Sequence, residues 1–161
     1  MRFFRPVPKV SLATVVDAGA LADLYGRAWR QYADRLDPRL LADQAPTSEE
    51  VAAWFRGGFE VYRATHESAL VGAVRCSFPA STCLVDRLAV DPAHARRGFG
   101  QVLAEHAVSR ARRAGVTRVW VYLSPKLDDA LALIQGLGFH ESGGIRAPYW
   151  GEKVILMELA L

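Results

Sequence analysis

The sequence has little cysteine and no long hydrophobic run, and both absences narrow what the protein can be. Two cysteines, Cys76 and Cys83, are too few for the disulfide framework of many small secreted domains. No apolar stretch approaches the ~18 residues of a membrane-spanning helix. Residues 1–10 carry charges and prolines where a signal peptide needs an apolar segment. We therefore expect a cytoplasmic protein with no membrane partner.

The chain also has little excess charge of either sign, since its formal net charge is only +3. Proteins that bind nucleic acids are more often basic over a whole face. Here the acidic residues are scattered, while several arginines fall within one stretch: Arg96, Arg97, Arg110, Arg112, Arg113 and Arg118. A local basic patch on a nearly neutral protein favours a small anionic ligand. We predict that nucleic acid is not a partner.

The length of 161 residues and a hydrophobic content of 51% predict one domain, residues 1–161, with its own core. Apolar periodicity and turn residues predict the element order β-α-α-β-β-β-α-β-α-β-β. The strands are predicted at Val10–Thr14, Phe59–Ala64, Ala69–Ser77, Thr82–Val90, Thr117–Leu123, Phe139–Gly143 and Lys153–Leu159. The helices are predicted from Asp17 to Arg30, from the capping box Thr47–Glu50 to Gly57, over Gly98–Ala114 and over Asp128–Gly136, with Gln31–Pro46 irregular.

The most informative stretch runs from Leu88 to Gln101, where a strand ends, a loop follows and a helix begins at Gly98 and Gly100. The free N–H groups of a helix N-terminus and the helix dipole form an anion site. Glycine lets the backbone approach phosphate oxygens, and Arg96 and Arg97 add positive charge. The stretch therefore predicts a pyrophosphate site. No Gly-Lys-Ser/Thr of a P-loop follows, and the third glycine of a Rossmann fingerprint is absent.

This stretch resembles the acetyl-CoA motif of the GCN5-related N-acetyltransferase (GNAT) superfamily, R/Q-x-x-G-x-G/A after a strand that ends in Leu-x-Val-x-Pro. The chain carries the motif positions at the family's spacing: Leu88, Val90, Pro92, Gly98 and Gly100. Leu137-Gly138-Phe139 resembles the family's helix-ending Leu-Gly-Phe, and Tyr149–Leu161 resembles its last strand. The element order also matches, so the resemblance spans nearly the whole chain.

The resemblance implies an α+β GNAT fold: a mixed, twisted sheet of about six to seven strands flanked by helices. It implies an N-acetyltransferase with acetyl-CoA as cosubstrate, bound between strands 4 and 5. The pantetheine arm would pair with the backbone of Leu88, Ala89 and Val90 as an extra strand does. The pyrophosphate would sit on the amides of Arg96, Arg97, Gly98, Phe99, Gly100 and Gln101. An amine would attack the thioester directly, and a strand-4 N–H would stabilise the oxyanion.

Several side chains depart from the family pattern. The R/Q position is Ala95, the tyrosine that often protonates the CoA thiolate is Ile134, an asparagine seven residues earlier is Leu127, and a strand-4 glutamate is Leu84. The amide cradle does not depend on these side chains, so we still expect cofactor binding.

Two polar residues are candidates for the catalytic roles. Asp86 lies two residues after Leu84 and shares its strand face, so it is the candidate base. A salt bridge with Arg75 or Arg87 is the structural alternative, and a water chain is another possible base. Ser124 ends the fifth strand, where it either positions a water or the thiol or forms a turn before Pro125.

The acceptor site is expected beside the loop after the first helix and the loop between the last two strands. Trp29, Tyr32 and Tyr149 are candidate substrate-binding residues there, with ordinary packing as the alternative. The acceptor is a small-molecule or peptide amine. Histidine spacing predicts no metal site, and a homodimer is compatible with the sequence but favoured by no feature of it. A non-catalytic CoA-binding or sensor domain of the same fold is the alternative function.

Overall fold

The computed structural model describes residue 4, residues 6–145 and residues 151–161, with position 145 described through its backbone alone. Within these ranges the chain forms seven strands and five α-helices. The strands are β1 Lys9–Leu12, β2 Glu60–His66, β3 Ala69–Ser77, β4 Thr82–Val90, β5 Arg118–Leu123, β6 His140–Ile145 and β7 Val154–Ala160. The helices are α1 Ala18–Arg30, α2 Pro38–Gln44, α3 Ser48–Arg56, α4 Phe99–Arg113 and α5 Asp128–Gly136.

All seven strands form one sheet in the order β1-β2-β3-β4-β5-β7-β6. Five neighbouring pairs are antiparallel, and β4 and β5 are parallel. A parallel pair needs a crossover connection, and α4 supplies it. The predicted α+β fold with a mixed sheet of six to seven strands flanked by helices is confirmed.

Local signals place most of the elements within one or two residues of their predicted ends. The capping box at the start of α3 forms as predicted: Glu50 N donates to Thr47 Oγ1 at 3.2 Å, and Thr47 N donates to Glu50 Oε2 at 2.7 Å. The hairpin strands β3 and β4 and helix α5 have the predicted bounds. Antiparallel β2, β3 and β4 therefore deliver the chain to the loop that precedes α4.

The prediction that Gln31–Pro46 is irregular was wrong, because Pro38–Gln44 forms α2. Asp37 caps this helix, since its carboxylate accepts from Arg39 N at 2.8 Å. Proline suits the first helical position, where the N–H has no intrahelical partner and φ is already near the helical value. The Asp-Pro pair was the signal for this helix.

The core has two layers, one on each face of the sheet. Helices α4 and α5 cover one face, where Phe99, Leu103 and Met157 are almost fully buried. Helices α1 and α3 cover the other face over β2, β3 and β4, with Leu21 and Val51 in their core. Apolar residues on one stripe of each helix account for this arrangement.

Helix α4 lies very close to the sheet at Gly72 on β3. A Cβ at Gly72 would lie 2.8 Å from Leu103 Cδ1 and 2.9 Å from Ala89 O. Only a residue without a side chain fits there. This contact holds the crossover helix against the strands that precede it.

Within the described ranges, no helix is long and apolar enough to cross a membrane. Those residues also contain no group of three histidine, cysteine or carboxylate side chains arranged around a common metal position. The predicted cytoplasmic location, metal-free site and possible homodimer stay predictions.

Candidate functional site

Strands β4 and β5 part in the middle of the sheet. Their parallel pairing runs from Thr82↔Arg118 to Val85↔Val121, although β4 continues to Val90 and β5 to Leu123. Beyond the last pair, the facing edges of the two strands do not pair with each other. A cleft therefore opens at the carboxyl ends of a parallel pair, where ligands bind in open α/β sheets.

A β-bulge bends β4 at the mouth of this cleft. Arg75 pairs with Asp86 and Ala73 pairs with Ala89, so two β4 residues stand opposite Val74 alone. Arg87 carries the distortion, with φ of +52°. Bulges of this kind bend a strand and re-aim the side chains that follow it.

The bulge changes which helix each of the following β4 side chains faces. Before it, Val85 packs in the core beneath α4. After it, Leu88 and Val90 pack against that core, while Ala89 belongs to the core beneath α1. In an unbroken alternation, Leu88 and Val90 would face the opposite way from Val85.

The loop between β4 and α4 presents backbone N–H groups at the start of a helix. Arg96 has φ of +61° and Gly98 has φ of +81°. The first hydrogen bond of α4 runs from Val102 N to Gly98 O at 3.2 Å. The amides of residues 96–101 therefore have no acceptor within the described part of the chain. Successive N–H groups around a left-handed residue form a concave anion site.

The two glycines of the loop have different roles. Gly98 needs its conformation, since few side chains adopt a φ of +81°. Gly100 lies at a packed position: a Cβ there would be in van der Waals contact with Leu133 Cδ1 at 3.4 Å and Val90 Cγ2 at 3.5 Å. The N-terminus of α4 is thus packed against both β4 and α5. Arg96 and Arg97 are exposed beside it. This cradle of amides and guanidinium groups fits a diphosphate.

Asp91 anchors the base of the loop, a role that the sequence analysis missed. Its Oδ1 accepts from Ala93 N at 3.0 Å, its Oδ2 accepts from Arg27 Nε at 3.0 Å, and its N–H donates to Val71 O at 2.8 Å. The side chain caps the short 3₁₀ turn Pro92–His94 and ties it to α1. The Asp-Pro pair was again the available signal.

Asp86 lies on β4 one residue beyond the last β4–β5 pair, and it forms an ion pair with Arg75. Arg75 Nε and Nη2 donate to its two carboxylate oxygens at 2.8 and 2.7 Å. The Arg75 guanidinium lies between two rings, 4.6 Å from the Trp54 centroid and 4.2 Å from the Phe59 centroid. Both carboxylate oxygens of Asp86 therefore accept hydrogen bonds from this guanidinium. The salt bridge that the sequence analysis left open is therefore present, and the base role stays a prediction.

Ser124 is buried directly after β5. Its Oγ accepts from Lys126 N at 3.2 Å, which is the turn geometry expected before Pro125. Tyr122 is half-buried and paired with Leu156 in β7. Its hydroxyl has no hydrogen-bond partner among the described residues. Ser124 therefore lies at the carboxyl end of β5, where the cleft opens, and its catalytic role stays a prediction.

The positions where the family often carries polar catalytic groups are apolar and packed. Ile134 is 3% exposed in the core beside Phe139. Leu127 occupies the N-cap position of α5, and Leu84 is half-buried opposite Trp120. Core packing accounts for Ile134, whereas Leu127 and Leu84 are only half-buried, and none of the three can donate or accept a proton.

Trp29 and Tyr32 lie together at the end of α1, with ring centroids 5.5 Å apart. The Trp29 indole N–H is buried and meets no acceptor within the described ranges. Burial raises the pKa of the Tyr32 hydroxyl, an effect that Arg35 opposes and Asp129 reinforces. The other predicted acceptor residue, Tyr149, lies outside the described residues.

One lysine links the loop after α1 to the far side of the cleft. Lys126 Nζ donates to Arg35 O at 3.5 Å and pairs with Glu152 Oε2 at 2.9 Å. Lys126 follows β5 and Glu152 precedes β7, so three segments meet here. The Tyr32 ring, whose centroid is 5.0 Å from Arg35 Cζ, therefore lies close to the segment that follows β5, which the sequence alone did not establish.

Sequence reasoning also gave no role to Tyr25, which lies on α1. Its hydroxyl donates to Arg87 O at 2.6 Å, at the bulge of β4. Its ring meets the Trp54 ring edge-on, with centroids 5.7 Å apart. A buried tyrosine hydroxyl needs a hydrogen-bond partner, and that general requirement was the only signal in the sequence.

Two solved structures have closely similar folds. PaiA N-acetyltransferase from Thermoplasma acidophilum, solved in complex with coenzyme A, aligns with a TM-score of 0.80 at 15% identity over 96% of this chain and 99% of that chain. YncA from Salmonella typhimurium, solved with acetyl-CoA, aligns with a TM-score of 0.78 at 18% identity over 96% and 94%. Likeness at this level of identity establishes a shared fold.

The sequence also matches a curated relative and a family model. The [ribosomal protein bS18]-alanine N-acetyltransferase of Escherichia coli K12 is 34% identical over 79 residues, which are 46% of this chain and 53% of that enzyme. The chain thus spans about half the length of the curated relatives it matches. The Acetyltransferase (GNAT) family model matches residues 20–139. Since that match covers well over half of the chain, this protein belongs to the GNAT acetyltransferase family.

Proposed function

We propose that this protein is an acetyl-CoA-dependent N-acetyltransferase that moves an acetyl group to an amine by direct attack. The observation that carries the proposal is the cleft between β4 and β5, which opens next to the unpaired amides of residues 96–101. The cleft exposes the edges of two strands, and the amides offer a site for a diphosphate. Acetyl-CoA has an amide-bearing arm and a diphosphate, which match the two features in order.

The backbone of this chain would do most of the binding. Residues 88–90 offer N–H and C=O groups along the β4 edge that β5 leaves open. The amides at 96–101 hold the diphosphate, with Arg96 and Arg97 adding charge. Bound there, acetyl-CoA supplies an activated acetyl group. A β4 N–H aimed at its carbonyl oxygen would stabilise the negative charge that develops on attack. The main contribution of the protein is then to orient the reacting groups.

An attacking ammonium must lose a proton, and Asp86 remains our proposed acceptor of it. It is the carboxylate at the first β4 position beyond the last β4–β5 pair. The ion pair with Arg75 is the structural obstacle to this role, because both carboxylate oxygens of Asp86 already accept hydrogen bonds from Arg75. Ser124 is the second proposed residue, since it ends β5 on the opposite side of the cleft. A bound water between them is an alternative route for the proton.

The proposed acceptor is a primary amine on a small molecule or a peptide. The curated relative is a [ribosomal protein bS18]-alanine N-acetyltransferase. The only amine that an alanine can offer in a peptide is a free N-terminus, so peptide N-termini are the first acceptors to test. Trp29 and Tyr32 would contact the acceptor, and Tyr149 stays a proposal from the sequence. Aromatic faces bind cationic groups by cation–π attraction, which suits an ammonium.

A non-catalytic CoA-binding domain is the second candidate function. Three observations favour it: the apolar side chains of Ile134, Leu127 and Leu84 occupy positions that often carry polar groups in this family. The ion pair of Asp86 adds a fourth. Such a domain would keep the amide cradle, which needs no catalytic side chain, and would bind acetyl-CoA without turnover.

Calorimetry with acetyl-CoA tests cofactor binding, which both candidate functions require. We expect saturable binding that desulfo-CoA also shows and adenosine does not. A free-thiol assay with alanine-terminated peptides and small amines then tests transfer, with the same peptides blocked at the N-terminus as controls. Thiol release that needs a free amine supports the transferase. Binding without release on any acceptor supports the sensor, and the absence of binding contradicts both.

A further inference from the structure

Arg87 holds the bulge of β4 in a backbone conformation that it does not favour by itself. Its φ of +52° lies in the left-handed region, where non-glycine residues are uncommon. Arg87 also has no register partner on β3. Such a conformation persists only when its surroundings hold it.

One hydrogen bond restrains the main chain at this point. Tyr25 Oη donates to Arg87 O at 2.6 Å, across 62 residues of sequence. The Tyr25 side chain is fully buried on α1 and packs edge-on against Trp54. Burial, followed by the charge of Asp86, raises the pKa of the Tyr25 hydroxyl far above its usual value. The hydroxyl therefore remains a hydrogen-bond donor at every pH at which the protein is used.

The other contacts of the bulge act on side chains. Arg87 Nη1 donates to Asp43 O at 2.6 Å, and the Arg87 guanidinium lies 5.4 Å from the Trp54 ring centroid. Arg75 holds the carboxylate of Asp86. These contacts fix where the side chains lie, whereas the Tyr25 hydroxyl fixes where the peptide carbonyl points. The direction of a peptide carbonyl determines the course of the residues that follow.

Those residues are the β4 edge of the cleft. Because the bulge turns Leu88 and Val90 toward α4 and Ala89 toward α1, it also sets the direction of their N–H and C=O groups. We propose that Tyr25 is a positioning residue, whose hydroxyl holds the Arg87 carbonyl and thereby orients the backbone of residues 88–90 toward acetyl-CoA. This inference rests on the proposed function.

Tyr25→Phe tests the inference, since it removes one oxygen and keeps the ring against Trp54. We expect the Kd for acetyl-CoA to rise about tenfold, the change that corresponds to one lost hydrogen bond to a buried group. KM for acetyl-CoA should rise, whereas KM for the acceptor should stay unchanged. Hydrogen exchange on the ligand-free protein should show faster exchange at residues 88–90 than in the wild type.

Tyr62→Phe is the matched control. Tyr62 on β2 is also buried, its Oη donates to Glu60 Oε2 at 2.7 Å, and its ring packs against His106 on α4. We expect this variant to lose stability, to keep wild-type affinity for acetyl-CoA and to exchange normally at residues 88–90. The split between the two variants separates positioning from a general loss of stability.

The possible outcomes are distinguishable. Wild-type affinity and wild-type exchange at residues 88–90 in Tyr25→Phe would overturn the positioning role and leave the proposed function standing. An equal loss of affinity in Tyr62→Phe would also overturn it, because the effect would then be global. If the unchanged protein does not bind acetyl-CoA, the proposed function falls and this inference falls with it.

Discussion

The two sides of the β4–β5 cleft are built from different parts of the chain. On the loop side, the amides of residues 96–101 form the proposed anion site, and glycine conformations and the cap of Asp91 hold them. On the proposed acceptor side, the candidate groups are side chains: Asp86 forms an ion pair with Arg75, and Trp29 packs against Tyr32. A backbone site tolerates replaced side chains, whereas a side-chain site changes its chemistry with each replacement. Binding and catalysis can therefore diverge within one family.

The sharpest test of this contrast is Asp86→Asn. If Asp86 accepts the proton, kcat should fall about a hundredfold, the usual contribution of a general base. The affinity for acetyl-CoA should stay within about twofold, because the amide cradle is untouched. Steady-state kinetics and calorimetry measure the two effects.

Glu60→Gln is the control for this variant. Arg110 holds Glu60 through two hydrogen bonds of 2.9 and 2.8 Å, as Arg75 holds Asp86, but Glu60 lies away from the cleft. Burial raises the pKa of Glu60, and hydrogen bonds from Arg110 and Tyr62 outweigh it, so the net pKa is lowered. A carboxyl group whose pKa is lowered on folding stabilises the fold at pH values above its unfolded-state pKa. This stabilisation is lost as the pH falls through the folded-state pKa. Glu60→Gln should reduce this acid-dependent part of stability and leave kcat unchanged. An Asp86→Asn variant that behaves the same way would show that Asp86 is only structural.

Gly98→Val attacks the loop side. A β-branched side chain at φ of +81° carries about 1–3 kcal/mol of backbone strain. The affinity for acetyl-CoA should fall about ten- to hundredfold as the cradle distorts. Gly19→Val on α1 is the control, since a Cβ at Gly19 has no neighbour within 4 Å and the position is helical. Isothermal titration of both variants checks the expectation, and equal affinities would remove Gly98 from the site.

Tyr32→Ala should separate the acceptor from the cofactor. We expect KM for the amine to rise about tenfold, in line with the loss of an aromatic contact to a cation, with no change in the affinity for acetyl-CoA. The variant keeps the Lys126–Glu152 ion pair as an internal reference for the fold of this region. A rise in KM for acetyl-CoA instead would place Tyr32 on the cofactor side of the cleft.

The smallest effect is expected from the arginines of the loop. Both are exposed, so each contributes only about 0.2–1 kcal/mol. Arg96→Ala and Arg97→Ala should each weaken binding of acetyl-CoA about two- to fivefold, and the loss should shrink as salt rises. Arg56→Ala, at the end of α3, is the surface control. A loss above tenfold would mean that side chains, rather than amides, dominate the loop.

The sequence allowed most of the fold to be predicted, because its elements carry local signals. The capping box at Thr47 and the glycine at Gly57 define α3, and alternation defines the hairpin of β3 and β4. The helix at Pro38 was missed because its seven residues have only a short apolar pattern. The Asp-Pro pair at its start was not decisive, because the same pair also occurs in loops that contain proline.

The site was predictable to different degrees on its two sides. The anion loop at Gly98 follows from a strand, a glycine pair and a helix start, all of which are contiguous. For Asp86 the sequence left two ion-pair partners open, Arg75 and Arg87, because strand pairing was predicted but register was not. The Tyr25–Arg87 bond joins residues 62 positions apart and has no local pattern.

The sequence alone determined the order of the seven strands and of four of the five helices, the resemblance to the GNAT family and the proposed anion loop at residues 96–101, since each depends on neighbours along the chain. Only the tertiary structure decided where β4 and β5 part, that Arg87 forms the bulge and that Tyr25 holds it. The reason is physical: a bulge is the outcome of a competition between register, packing and long-range hydrogen bonds. Those contributions exist only after distant segments have come together.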